Sequence, residues 1–281
     1  MADLRKQSAS GHLINSNPII RRLTKIQETD STDCCSYAGI TRKLIFFLLV
    51  TATGVAISLI LKLAGTLSAG DPLFSDVLYE GGQTITIYSH ELAALAVCGI
   101  IMLICPLLAT FIRPTIPVTG TLFCAATGYL LAWLAGTFAD IYLGPVLLAL
   151  VITLALVFAM GFLYGTGRVR VTEKFRTVLL IALIAIAASS LLVFIGSLIP
   201  ATRGITAQII NNPVLSIGGG ILMVIIGTLF LLVDFDTINQ CVEGQLPKKY
   251  EWYASFGLAF SVIWLYFKVL DLILKIMDKT N

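Results

Sequence analysis

The chain reads as an all-α integral membrane protein of seven transmembrane helices, and three observations carry that reading. Of its 281 residues, 57% are hydrophobic and only 12% are charged. Soluble domains hold about twice that charged share, roughly 25%. Seven apolar stretches each approach the ~20 residues that a helix needs to cross a bilayer. The basic residues between them fall on alternate connections, the pattern by which spanning helices orient. Mean hydropathy is +0.92. The net charge of +3 is too small to argue for nucleic acid as a partner.

Residues 1–43 form a polar arm that carries Arg5, Lys6, Arg21, Arg22, Lys25, Arg42 and Lys43. It lacks an early apolar core followed by a small-residue cleavage site, so it is not expected to be a secretory signal. A flexible cytoplasmic arm is expected, with room for a short helix at 18–26. A nucleic-acid-binding tail would need a denser basic block than this stretch provides.

The membrane domain covers 44–276, with a short tail at 277–281. Its spans are expected at roughly 44–66, 91–112, 117–138, 144–165, 177–199, 214–235 and 252–276. Lys62 closes the first and can snorkel to the interface. The third and fourth are separated by only a few residues near Asp140, which predicts a tight helical hairpin. The connection 67–90 holds Asp71, Asp76 and Glu80 and no Lys or Arg. The connection 166–176 holds Arg168, Arg170, Lys174 and Arg176, and 236–251 holds Lys248 and Lys249. The bias places the N-terminus in the cytoplasm and the C-terminus outside, although Lys275 and Lys279 run against it.

Small residues recur inside the spans. Gly120, Gly128 and Gly136 punctuate the third, and Gly218, Gly219 and Gly220 open the sixth. Close helix packing in lipid accounts for such residues. An unwound segment lining a path is the other reading of the triple glycine. It does not read as a phosphate loop, since no Lys-Ser/Thr follows it. Cys34, Cys35, Cys98, Cys105, Cys124 and Cys241 show no metal-binding spacing. Trp252 and Tyr253 suit an interfacial aromatic belt, with Trp264 and Tyr266 further along the same helix. The basic connection 168–176 is a positive-inside anchor that can also meet anionic membrane lipids.

The chemistry-bearing residues gather in the last fifty. The sixth span runs into Asp234 and Asp236, and the seventh carries Lys268 and Asp271 inside its apolar run. Ionisable groups at membrane depth are costly; they pair, face a wet cavity or carry function. Asp236 is the first candidate for a titrating or cation-contacting group, including transient contact with calcium. Its alternative is a helix-end carboxylate solvated or paired with Lys248 or Lys249. Lys268 and Asp271, three apart, share a helix face and can pair. No catalytic constellation is visible, so no enzyme activity and no cofactor are expected. The histidines are His12 in the arm and His90 at the start of the second span. Asp234, Asp236 and Asp271 leave intramembrane aspartyl proteolysis as a minor alternative, disfavoured because Asp234 and Asp236 lie about 200° apart around a helix and face different ways, whereas it needs a facing dyad.

Several ordered strings resemble the bacterial branch of the Bax inhibitor-1 family. They are LYGTGRVRVTEKFR at 163–176, LVDFDTINQ at 232–240 and PKKYEWYASFGLAFSVIWLYFKVLDLI at 247–273, with NP at 17–18 and YAGITRK at 37–43. The resemblance implies seven helices with the seventh central, in a bacterial inner membrane. It implies a pH-sensitive calcium leak gated by one acidic residue in the sixth helix and one in the seventh. The first falls on Asp236 and the second on Lys268, where a glutamate is expected with an arginine three residues on; here Asp271 stands at that place. Thr127 stands where a glutamate is expected in the third helix. A non-transporting regulator that binds a membrane protease or another membrane protein in a stress response is the alternative, with 1–43 and 236–251 as its contact surfaces.

Overall fold

The computed structural model describes residues 34–65, 72–78, 84–137, 139–169, 171–199 and 202–280. Seven of its helices are long and apolar enough to cross a membrane. In chain order they are α1 (Tyr37–Leu63), α2 (Ser89–Phe111), α3 (Ile116–Thr137), α4 (Ala139–Gly165), α5 (Glu173–Leu198), α7 (Pro213–Glu243) and α8 (Tyr250–Thr280). All seven expected spans are found. The short α6 (Arg203–Asn211) lies between α5 and α7 where only a connection was expected. A two-stranded antiparallel hairpin, β1 (Pro72–Leu78) and β2 (Thr84–Tyr88), fills the acidic connection between α1 and α2. The expected helix at 18–26 lies outside the described residues.

Local chemistry sets the boundaries. Ser36 caps α1 by accepting from the Gly39 N–H, so the helix starts seven residues before the apolar run and takes 37–43 out of the arm. Thr172 caps α5 through the Phe175 N–H. Asn212 caps α7 through the Val214 and Leu215 N–H groups, with Pro213 at the first helical position, where its missing N–H costs nothing. The 31 residues of α7 make a rod of about 46 Å, well beyond a ~30 Å hydrocarbon core. Its last turns therefore reach past the apolar run, and Asp236 lies inside the helix rather than in a loop.

The seventh span is central. Buried residues of α8 enter all three core clusters: Phe256 and Ala259 beside Phe47 and Phe123, Leu265 and Val269 beside Ala149 and Leu231, and Ala254 beside Cys35, Ile40 and Cys241. The lipid-facing side is apolar in turn, with Leu180, Ile184, Leu192 and Phe194 of α5 exposed on the bundle surface. α7 and α8 run antiparallel in a register set by three close approaches. Gly220 faces Leu272, Gly227 faces Trp264 and Leu265, and Gly257 faces Asp234. The triple glycine is continuous α-helix, so no unwound path is present there; Gly220 packs closely, while Gly218 and Gly219 have open space beside them.

The tightest crossing is α1 on α3. A Cβ on Gly128 would sit 2.0 Å from the Thr51 carbonyl oxygen, and one on Gly54 would sit 2.3 Å from that of Ala125. Both obstacles are backbone, which cannot rotate away. Gly128→Ala is expected to cost about 1–3 kcal/mol, the usual cost of overpacking, and to lower the thermal unfolding midpoint in detergent. Gly99→Ala, where nothing lies within 4 Å, should leave that midpoint in place.

Candidate functional site

The ends of α1, α4, α5, α7 and α8 that carry the polar connections meet at one end of the bundle, and two charged clusters form there. The first is built on Asp236. The phenol of Tyr164, in the last turn of α4, donates to Asp236 Oδ1 at 3.0 Å. The guanidinium of Arg176, at the start of α5, forms a salt bridge with Oδ2. Gln240, one turn further along α7, donates to the same oxygen at 2.8 Å. Three helices are thus tied through one carboxylate. Charge-assisted hydrogen bonds of this kind are about twice as strong as neutral ones. Phe235 stacks on the Tyr164 ring with centroids 6.3 Å apart, which helps to orient the phenol.

Asp236 also faces a cavity of about 950 Å³. Tyr37, Thr41 and Leu44 of α1 line it on one side, and Asn239 and Glu243 of α7 on another. The Tyr37 hydroxyl donates to Asn239 across this space. Its polar lining comprises the carboxylates of Glu243 and of the Arg176-paired Asp236, with the hydroxyl and amide groups of Tyr37, Thr41 and Asn239. Among the described residues, no three His, Cys, Asp or Glu side chains converge as a metal site.

The second cluster is centred on Glu251, in the first turn of α8. Its side chain is 1% exposed and forms a salt bridge with Lys43 of α1. It also accepts from the Ser36 N–H at 3.0 Å and the Ser36 hydroxyl at 3.2 Å. The start of α1 converges on the carboxylate from the start of α8, so two helix dipoles favour its charge. Gly39 makes the approach possible, since a Cβ there would lie 2.1 Å from Glu251 Oε1. Ser255 extends the tie by donating to the Ile40 carbonyl at 2.8 Å. Beside it, the Cys35 N–H donates to Leu246 O at 2.7 Å, and the Cys35 thiol donates to Pro247 O at 3.3 Å. Burial pushes the Cys35 thiol up to about 11, so it remains a thiol and packs as a small apolar group.

The four acidic and basic candidates read from the sequence do not form one group. Asp236 and Asp234 point to different sides of α7, as their spacing requires. Asp234 lies against Gly257 and Ser261 of α8. Lys268 does not reach Asp236. In the α7–α8 register it is level with Val224, about twelve residues or roughly 18 Å along the helix. Its ammonium lies over the Trp264 ring, 5.7 Å from the centroid. The expected pairing of Lys268 with Asp271 is also corrected: Asp271 accepts from Lys275 at 2.7 Å, one turn on. The i,i+4 order with the acid first favours that partner. The cation that answers Asp236 comes from α5, not from α8. Lys249 does not fill this role either; it lies over the Tyr250 ring.

The family model of Bax inhibitor 1-like proteins matches residues 17–278. The chain belongs to that family. No curated protein and no solved structure matches it. The family position is consistent with the seven spans and the central α8, and this Bax inhibitor 1-like chain carries a threonine, Thr127, fully buried in α3 with its hydroxyl on the Phe123 carbonyl at 2.8 Å. Arg176 and Glu251 escaped the sequence reading. Arg176 stands in the sequence as one of four basic residues in a single connection, and Glu251 drew no reading beside the aromatic Trp252 and Tyr253. The available signal was their position: each is the charge nearest the first apolar turn of a spanning helix.

Removing the Glu251 carboxylate leaves Lys43 unanswered and Ser36 without its acceptor. Glu251→Ala is expected to destabilise the protein by about 3 kcal/mol, as in other broken buried pairs. A double-mutant cycle with Lys43→Ala, read by thermal unfolding in detergent, should show strong coupling between the two positions. Additive losses would mean that they act separately.

Proposed function

We propose that this Bax inhibitor 1-like protein is a passive, pH-modulated cation leak, with calcium as the favoured ion and Asp236 as the gate. It works in a bacterial inner membrane with its N-terminus in the cytoplasm. The observation that carries the reading is the three-helix tie on Asp236 at the wall of a cavity lined by Asp236 and Glu243. Lys43, Arg168, Lys174, Arg176, Lys248 and Lys249 all lie at this end of the bundle, in keeping with the positive-inside rule.

The mechanism follows from the charges. With Asp236 ionised, Arg176 bridges α5 to α7 and closes the end of the cavity. Protonation removes one charge of the pair and leaves Arg176 to water. The Tyr164 hydroxyl loses a charged acceptor at the same moment. Among the described residues, the other ionisable groups lining the cavity are Tyr164 on α4, Glu243 on α7 and Tyr37 on α1, and the salt bridge to Asp236 is that of Arg176. The tie then loosens, α5 swings from α7, and the cavity opens to the cytoplasm. Acid therefore opens and alkali closes.

The test is flux into liposomes loaded with a calcium-sensitive dye. Wild-type flux is expected to be higher at acidic than at alkaline pH. Asp236→Asn and Arg176→Gln should conduct at the acidic rate at both pH values. Loss of a pair worth ~1.4 kcal/mol raises the open fraction about tenfold. Tyr164→Phe should shift the response in the same direction by less. Asp236→Asn indistinguishable from wild type at both pH values would refute the gate. No flux in any variant would leave the protein as a non-transporting regulator.

A further inference from the structure

Asp234 takes no part in the tie on Asp236, and its environment is of a different kind. It sits in the seam between α7 and α8, with Ser261 interacting with its carboxyl group and the backbone of Gly257 facing Oδ1. The other oxygen, Oδ2, is sealed from solvent and has no hydrogen-bond partner among the described residues. None of the salt bridges among the described residues includes Asp234. Gly257 and Ser261 of α8 face the Asp234 carboxyl across the seam, and among the described residues no charged side chain is ion-paired with it.

A carboxylate in such a place lacks the hydrogen bonds and the counter-charge that burial demands. A carboxylic acid does not. It needs one acceptor for its proton and one modest donor for its carbonyl oxygen, and a single serine hydroxyl serves either need. A cation is a poor substitute for the proton, because the seam offers one carboxyl and one hydroxyl, far short of the six or more oxygens that calcium gathers.

We propose that Asp234 is a second proton-binding site, occupied in the resting protein, in which a neutral carboxylic acid bridges α7 and α8 through Ser261. It differs from Asp236 in sign and in consequence. Asp236 is held as an anion by Arg176, and gaining a proton disrupts its contacts. Asp234 is held as an acid, and losing its proton disrupts the seam. The inference does not depend on the protein conducting any ion.

Infrared difference spectroscopy of the full chain in lipid nanodiscs tests it. Wild type is expected to show the carbonyl stretch of a protonated carboxylic acid at neutral pH, fading as the pH is raised. Asp234→Asn should remove that band and Asp236→Asn should keep it. A hydrophobic carbodiimide gives a second readout on the unmutated protein. It takes the acid proton on nitrogen and the carboxyl oxygen on carbon, then rearranges to a stable acylurea that mass spectrometry can place. Modification at Asp234 that falls with rising pH supports the proposal. No protonated-acid band at neutral pH, a band that survives Asp234→Asn, or an Asp234 that stays unmodified at every pH would overturn it.

Discussion

An ion pair between Asp236 and Arg176 holds the polar end of this bundle together, and much of the architecture can be understood as making that pair tolerable. Lipid offers an ionised carboxylate nothing. The chain answers by extending α7 beyond the apolar run, starting α5 with an arginine at the same level and ending α4 with a tyrosine. Each contribution comes from a different helix, so the contact reports on how those helices sit together. The stacked Phe235 and the neighbouring Gln240 narrow the freedom of the phenol and the carboxylate.

The Glu251 cluster complements it. Both join helix ends through a carboxylate, but they differ in what surrounds it. Glu251 is enclosed, faces two helix N-termini and is bound by a serine as well as by a lysine. Asp236 faces a cavity of about 950 Å³. An enclosed pair fixes α1 to α8, while the Asp236 pair stands at the wall of that cavity. The enclosed tie thus joins α1 to α8, and the one at the cavity joins α5, whose outward face is apolar, to α7.

Much of the fold was legible in the primary structure, because hydrocarbon thickness imposes a length on apolar runs that composition cannot disguise. All seven spans and the central α8 follow from that constraint and the family resemblance. The β-hairpin and α6 did not, since both lie in connections where no bilayer sets the pattern. The site was legible in part. Asp236 stood out as a charge in an apolar run, and the angular separation from Asp234 followed from helix geometry alone. Its partner did not stand out, because pairing depends on which helices are neighbours and at what height. Lys268 looked attractive on the assumption that α7 and α8 meet with these residues level; the actual register separates them by about 18 Å. Arg176 was hidden among three other basic residues in one connection, where only tertiary structure distinguishes the one that turns inward.

The central claim is that the Asp236 charge decides whether α5 stays against α7. Spin labels placed at the exposed positions Lys174 on α5 and Lys248 in the connection that follows α7, read by pulsed dipolar spectroscopy in nanodiscs, report on that separation. The account predicts a longer and broader distance distribution at acidic than at alkaline pH, and the acidic distribution at both pH values in Asp236→Asn. A distribution that does not change with pH or with the substitution would contradict it.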